Sequence, residues 1–154
     1  MNFRRVIMPL PVIVTLLLSV ALPVPVQAKS EIYTNLRGIA IKGYDPVAFH
    51  TEGRSVEGSS RFELDWKGAT WWFSSNENRE LFKADPEKYA PRYGGYCAWA
   101  VSQGTTAGVD PQNAWSIVDG KLYLNYNMEI KQRWEADIPG NIEKGDANWP
   151  GVLK

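Results

Sequence analysis

Cysteine and histidine are nearly absent from this chain of 154 residues, which has one of each, Cys97 and His50. A single cysteine excludes an internal disulfide. One cysteine and one histidine are also too few for the closed four-ligand sets of structural zinc. No excess of positive charge is present either, because 17 basic residues face 17 acidic ones. This balance gives no electrostatic reason to expect nucleic acid as a partner.

Long apolar runs are also scarce, and the main one lies at the N-terminus. An Arg4-Arg5 pair precedes the apolar stretch 12–20, and small residues follow at 26–28. This order is typical of a secretory signal, so we predict a signal peptide at 1–28 and a mature domain at 29–154, located in the periplasm or secreted. A retained membrane anchor is the alternative. Because four prolines interrupt the stretch and a spanning helix needs about 20 apolar residues, we expect no stable membrane insertion after cleavage.

Aromatic residues, in contrast, are plentiful, with seven tryptophans and seven tyrosines. Their large apolar area can stabilise a small domain without disulfides, and it can equally line an apolar pocket. The mature length suits one domain. We see no internal repeat and no low-complexity segment.

Two hairpins are predicted from alternating apolar residues around short turns. In the first, the residues of 61–66 alternate around a Lys67-Gly68 turn that returns through 70–73. In the second, 115–117 and 122–124 flank Asp119-Gly120, a strong signal for a two-residue turn. A further short strand is predicted at 39–43, after a loosely held lead-in at 29–37.

Helix starts are marked by capping residues. Asp45-Pro46 and Asp85-Pro86 each combine an N-cap with a first-turn proline. Ser74 begins a capping-box pattern, Asn127 can cap a helix to about residue 136, and Pro139 starts a last short helix. Ordered structure is expected to end near 148–151. The predicted fold is a small α+β domain with two β-hairpins and three or four short helices.

Several motifs in order resemble an exported bacterial YHS-domain protein. The resemblance spans nearly all of 38–153 and is carried by Gly43–Phe49, Gly68–Ser75, Phe82–Tyr89, Gly94–Ala98, Leu122–Tyr126 and Asn148–Gly151. It implies a YHS-like fold.

The resemblance also implies where a metal would sit. Many YHS domains are similar to small metal-binding modules, and the positions that match their cysteines are Ala48, Ser74 and Asn78 here. None of the three carries a thiol, and alanine offers no lone pair at all. The motif is therefore degenerate, and we expect no thiolate metal site of the usual YHS type.

A different metal site would have to use the soft donors that remain. Cys97, His50 and Met128 would together suit cuprous copper. The ordinary interpretation is a buried cysteine, a satisfied histidine and a gap-filling methionine. Copper binding or trafficking through these three residues is thus an alternative function.

Cys97 could also serve as a nucleophile, with His50 as its base, because a glycine turn at Gly94-Gly95 would expose backbone amides beside the thiol. We do not expect an enzyme, because the only cysteine and the only histidine of the chain form the only possible pair, and such a pair is not a specific sign of catalysis.

The third class is a binding protein for an apolar or carbonyl-bearing small molecule. Aromatic residues near glycines, with one carboxylate, would form its site; the candidates are Tyr44, Asp45, Tyr93, Tyr96, Cys97 and Trp99. We therefore predict an exported YHS-like binding or accessory protein whose ligand, a small molecule or a metal ion such as copper, the residues leave open. Its working surface is expected to include Cys97 and the turn at Tyr44-Asp45.

Overall fold

The computed structural model describes residues 28–154, and the predicted signal peptide lies outside them except for Ala28. Within this range the chain forms two separate two-stranded sheets and six α-helices. The helices are α1 (Pro46–Thr51), α2 (Asn76–Ala84), α3 (Pro86–Tyr89), α4 (Ala98–Ser102), α5 (Met128–Glu135) and α6 (Ile138–Asn148); the strands are β1 (Ser59–Trp66), β2 (Ala69–Phe73), β3 (Trp115–Val118) and β4 (Lys121–Leu124). The predicted α+β class is confirmed. No helix in residues 28–154 is long and apolar enough to cross a bilayer.

Both predicted hairpins are present. β1 pairs with β2, and β3 pairs with β4, each in antiparallel register. The turn residues Lys67 and Gly68 have φ of 50° and 74°, and Asp119 and Gly120 have φ of 49° and 72°. Positive φ at both central residues is the requirement of the turn type that matches strand twist, which explains why these two dipeptides marked the hairpins.

The helices are more numerous than the three or four that were predicted. Three helices have the expected N-caps, whose side chains accept hydrogen bonds from backbone amides: Asp45, Asp85 and Asn127. α2 is capped by Ser75 and not by Ser74, whose side chain is used elsewhere. The sequence prediction did not include α4 because its N-cap position is held by Cys97, which forms no capping hydrogen bond.

The strand predicted at 39–43 is wrong. Ile39 makes an isolated bridge to Thr70, and Ile41–Gly43 form a tight 3-10 turn. Ile41 has φ of 39°, in the left-handed region that a β-branched residue rarely adopts. The side chain of Ile41 is fully buried, so packing offsets a backbone cost of order 1–3 kcal/mol.

Both ends of the described chain are more ordered than predicted. The Lys29 amide donates to the Leu153 carbonyl at 2.8 Å, and Tyr33 donates to Gly94 at 2.9 Å. Ile32 is buried in the core. At the other end, residues 151–153 form a 3-10 turn that buries Leu153. The lead-in and the C-terminus thus pair with each other, a long-range contact that local patterns do not reveal.

The buried aromatic residues divide into two clusters. In the first, Phe82 of α2 lies 5.1 Å from Trp71 of β2, measured between ring centroids. In the second, Trp134 of α5 lies 5.0 Å from Tyr123 of β4. Each cluster therefore joins one hairpin to the helix that follows it.

Replacing Phe82 with alanine should lower the free energy of unfolding by about 3–5 kcal/mol, because the ring is fully buried against three aromatic neighbours. Leu81→Ala on the same helix is the matched control, and its exposed side chain should cost about 1 kcal/mol or less. Urea unfolding followed by tryptophan fluorescence measures both. Equal losses in the two variants would contradict this packing.

Candidate functional site

Asp45 is a fully buried carboxylate at the start of α1. The turn at 41–43 and the proline after it place its side chain over the first helical amides. Oδ1 accepts hydrogen bonds from the Val47 amide at 2.8 Å and from the Ala48 amide at 3.3 Å. One oxygen is therefore satisfied by the helix that Asp45 caps.

The other oxygen of Asp45 is held by the beginning of α2. Oδ2 accepts from the Ser74 amide at 2.8 Å, from Ser74 Oγ at 2.7 Å and from Asn78 Nδ2 at 2.7 Å. Five hydrogen bonds thus surround one carboxylate group. A buried charge needs such a set of donors, because an unpaired carboxylate would not stay ionised away from water.

The three positions at which the resemblance would place metal-binding cysteines, Ala48, Ser74 and Asn78, are all part of this arrangement. Ala48 contributes an amide, while Ser74 and Asn78 contribute side-chain donors. Their polar hydrogens point at Asp45, and no sulfur is present. A hydroxyl and an amide committed as donors do not fit a thiolate-bound metal. The chemistry of this site is an internal hydrogen-bond network.

Tyr44 lies beside this network but faces outward. Its hydroxyl is 3.4 Å from Glu57 Oε1 and 3.5 Å from Gln112 Oε1. Partial burial and the nearby Glu57 carboxylate raise the pKa of Tyr44. Tyr44 thus joins surface loops and makes no described contact with Cys97.

Cys97 is buried at the start of α4, with 1% of its surface exposed. Its Sγ–H donates to Asn125 Oδ1 at 3.6 Å, and the Trp99 amide donates to the same oxygen at 3.1 Å. Asn125 is fully buried, and its Nδ2 makes no hydrogen bond within the described residues. The thiol therefore lies against a polar side chain on the inner side and against apolar groups on the other.

Burial raises the pKa of the Cys97 thiol. The backbone amides of Ala100, Tyr126 and Trp99 act in the opposite direction, and burial is the larger effect. The thiol is accordingly protonated at neutral pH, whereas cysteine nucleophiles depend on the thiolate.

An apolar pocket of about 260 Å³ opens to solvent above Cys97. Its walls come from α4, the loop before β3 and the start of α5; they are Cys97, Trp99, Ala100, Ala107, Tyr126 and Ile130. The surface that the pocket presents is entirely apolar. The pocket is shallow and largely open to solvent, so a small aromatic or aliphatic molecule could lie against its apolar surface with one side facing water.

Four of these six residues were not among the predicted site residues. They are small or apolar residues whose types indicate ordinary packing, namely Ala100, Ala107, Tyr126 and Ile130. The sequence offered one signal, the position of Tyr126 at the end of a motif. That 56% of its side chain is exposed is visible only in the tertiary structure.

Tyr96, a predicted ligand-binding residue, lies next to Cys97 in sequence but outside this pocket. Its hydroxyl donates to the Ser30 carbonyl at 2.8 Å, and its ring packs against Tyr33 and Trp149. Burial raises the pKa of the Tyr96 hydroxyl. These contacts hold the N-terminal segment against the C-terminal one.

The three candidate copper ligands lie in different settings. His50 packs edge-on against the Tyr89 ring, and its Nε2 is shielded and makes no hydrogen bond to the described residues. Burial, the largest effect, lowers the pKa of His50. Met128 is 45% exposed in the first turn of α5. No group of three or more His, Cys, Asp or Glu side chains in residues 28–154 is arranged to hold a metal ion. Copper binding by this trio stays a prediction.

A second concave region, about 100 Å³ in volume, is lined by charged residues. Lys67 lies 2.8 Å from Glu31 and 3.0 Å from Glu87, and its ammonium group also lies over the Trp66 ring. Lys67 thus pairs with both carboxylates, and Arg92, the other cation of the lining, lies 3.3 Å from Asp146, so each charged group of this region already has a partner.

Comparison with known proteins gives a family match that covers the hydrogen-bond donors of the Asp45 network and begins two residues after Asp45 itself. Residues 47–93 match the model of the YHS domain. The resemblance to a YHS domain that the motifs predicted is therefore confirmed over that stretch, which is less than half of the chain. The match includes all three positions of the degenerate motif and ends before Cys97. Neither the curated proteins nor the solved structures give a match.

Asp45→Asn should lower the free energy of unfolding by about 3 kcal/mol, because an amide nitrogen at the Oδ2 position would face the donors of Ser74 and Asn78. Asp85→Asn is the control, since Asp85 is an exposed N-cap that accepts one amide and asparagine caps equally well. Urea denaturation compares them. A loss as small as that of the control would show that the network contributes little.

The Cys97 thiol should react with dithio-bis-nitrobenzoate about 100-fold or more slowly in the native protein than in the protein unfolded in urea. Because burial raises its pKa, the thiolate fraction at a given pH is lower than in the unfolded chain. The native rate should therefore keep rising above pH 9. Fast labelling with a plateau below pH 8 would contradict the buried, protonated thiol.

Proposed function

We propose that this protein is an exported, non-catalytic binding protein that takes a small apolar molecule in the pocket above Cys97. The carrying observation is the pocket itself, a cavity of about 260 Å³ that is open to solvent and has an apolar lining. Ligand sites in proteins are typically concave and mostly apolar. Export rests on the predicted signal peptide.

The lining supports an apolar ligand over a carbonyl-bearing one. The pocket exposes no polar surface. Asn125 Oδ1 already accepts from Cys97 and Trp99, and Asn125 Nδ2, which has no partner among residues 28–154, is shielded from the pocket surface. A ligand carbonyl would lose its water without gaining a partner, which is unfavourable. Trp99 and Tyr126 offer aromatic walls for a flat molecule.

A binding role is also better supported than catalysis. Burial keeps Cys97 protonated, and the contacts of His50 lie on α3, away from the Asn125 side chain that Cys97 contacts. A nucleophilic cysteine needs a base within hydrogen-bond reach. The stretch that matches the YHS domain, 47–93, contains no cysteine, and the residues that line the pocket all lie after it.

Fluorobenzene is a suitable probe because it is apolar and its fluorine signal is well separated from protein signals. Titration with the mature protein should shift and broaden this signal in a saturable way, with a dissociation constant on the order of 1 mM, as expected for so small a ligand.

Ala107→Leu should weaken fluorobenzene binding tenfold or more, because the larger side chain fills the pocket. Ala84→Leu, at an exposed position on α2, should leave binding unchanged. 4-Fluorobenzaldehyde serves as the carbonyl-bearing comparison and should bind no more tightly. Absence of saturable binding to the wild type, or equal binding by both variants, would refute the proposed site.

A further inference from the structure

A constant spacing of 52 residues relates the two halves of the described chain. Ile41, Lys42 and Gly43 have φ of 39°, 58° and 84°. The corresponding turn, 93–95, has φ of 57°, 60° and 83°. Three consecutive left-handed residues are rare, yet this conformation occurs twice at the same interval. Each turn is followed by a tyrosine, then by an N-cap residue, then by a short helix.

The same spacing continues through the hairpins and the helix starts. The turn Lys67-Gly68 corresponds to Asp119-Gly120, with φ values that agree within a few degrees. The N-cap Ser75 of α2 corresponds to the N-cap Asn127 of α5. The N-cap Asp85 of α3 likewise corresponds to Asp137 of α6.

The core packing repeats as well. Trp71 and Phe82 have centroids 5.1 Å apart and planes inclined by 34°. Tyr123 and Trp134, each 52 residues later, have centroids 5.0 Å apart and planes inclined by 34°. Different side chains thus reproduce one packing geometry, which follows if the backbones have the same fold.

We infer that 41–89 and 93–141 are two copies of one structural unit, and that the Cys97 pocket is the second copy of the Asp45 site. Asp45 corresponds to Cys97. Ser74 corresponds to Tyr126, and Asn78 corresponds to Ile130. The fourth position is alanine in both units, as Ala48 and Ala100.

The backbone donors around the two sites support this assignment. Asp45 accepts from the amides of Val47, Ala48 and Ser74. The amides that act on the Cys97 thiol belong to their counterparts, Trp99, Ala100 and Tyr126. Both side chains therefore occupy the same position relative to two equivalent helix starts.

The three exchanged positions decide whether the site is closed or open. In the first unit a carboxylate draws Ser74 and Asn78 inward, and the space is filled. In the second unit the thiol is a weak partner, while Tyr126 and Ile130 have no donor to offer it from those positions. The space stays open as the apolar pocket. Cys97, Tyr126 and Ile130 are thus the residues that determine ligand specificity, a role that rests on the proposed function.

Exchange of these residues tests the equivalence. Cys97→Asp should lower the urea midpoint of unfolding, because the carboxylate would gain backbone amides but no side-chain donors from positions 126 and 130, and it would face Asn125 Oδ1. Adding Tyr126→Ser and Ile130→Asn should restore at least half of that loss, since this triple variant reproduces the first site. The double variant Tyr126→Ser/Ile130→Asn, with Cys97 unchanged, is the control and should be less stable than the wild type.

Fluorobenzene titration of the triple variant gives the second readout, and the expected result is loss of binding through closure of the pocket. If the triple variant loses as much stability as Cys97→Asp and the double variant Tyr126→Ser/Ile130→Asn lose in sum, the two sites are not equivalent. Retained binding in a stabilised triple variant would overturn the role of these residues in specificity. Failure of wild-type binding would refute the proposed function and leave the stability cycle to decide the equivalence.

A reciprocal cycle covers the case in which Cys97→Asp does not fold. Asp45→Cys alone should lose stability, because Ser74 and Asn78 lose their acceptor. Adding Ser74→Tyr and Asn78→Ile should recover part of that loss and create fluorobenzene binding in the first unit. Additive losses with no recovery would contradict the inference.

Discussion

A carboxylate cannot be buried without donors, and this constraint organises the first half of the protein. Asp45 has no exposed surface, so each of its oxygens must be satisfied from within. The amides of α1 satisfy one oxygen, and the beginning of α2 satisfies the other. The carboxylate thereby ties α1, the end of the first hairpin and α2 into one arrangement. One carboxylate and five hydrogen bonds thus join these segments.

The thiol of Cys97 is under no such constraint. A neutral, weakly polar group can be buried with a single long contact to Asn125, so nothing draws the facing side chains inward. The consequence is a solvent-open pocket lined by aromatic and aliphatic groups. Apolar surface that stays in contact with water is unfavourable, and burying it against an apolar molecule would lower the free energy. An apolar ligand in the pocket would therefore remove unfavourable surface from water. In its absence, the extensive aromatic packing beneath both hairpins offsets the free-energy cost of this exposed surface.

Local features were predictable because their causes lie within a few residues. Lys67-Gly68 and Asp119-Gly120 mark turns through the backbone conformations they allow. Asp45, Asp85 and Asn127 mark helix starts through amides two or three residues away. Ser74 shows the limit of such arguments, since its neighbours favoured a cap but its hydroxyl bonds to a carboxylate far away along the chain. The strand predicted at 39–43 failed for the same reason, because burial of Ile41 imposes a backbone that its own side chain disfavours.

The amino-acid sequence by itself determined the hairpins, most of the caps and the motifs that resemble a YHS domain, since each depends on residue type and short spacing. Only the tertiary structure decided which side chains meet. It gave Asp45 its partners, separated the contacts of His50 from those of Cys97, and opened the pocket at Tyr126 and Ile130. The repeated unit was equally hidden, because the two copies share few residues and agree instead in φ angles and ring geometry. Backbone conformation tolerates many sequences, so it can persist after the residues that once revealed it have changed.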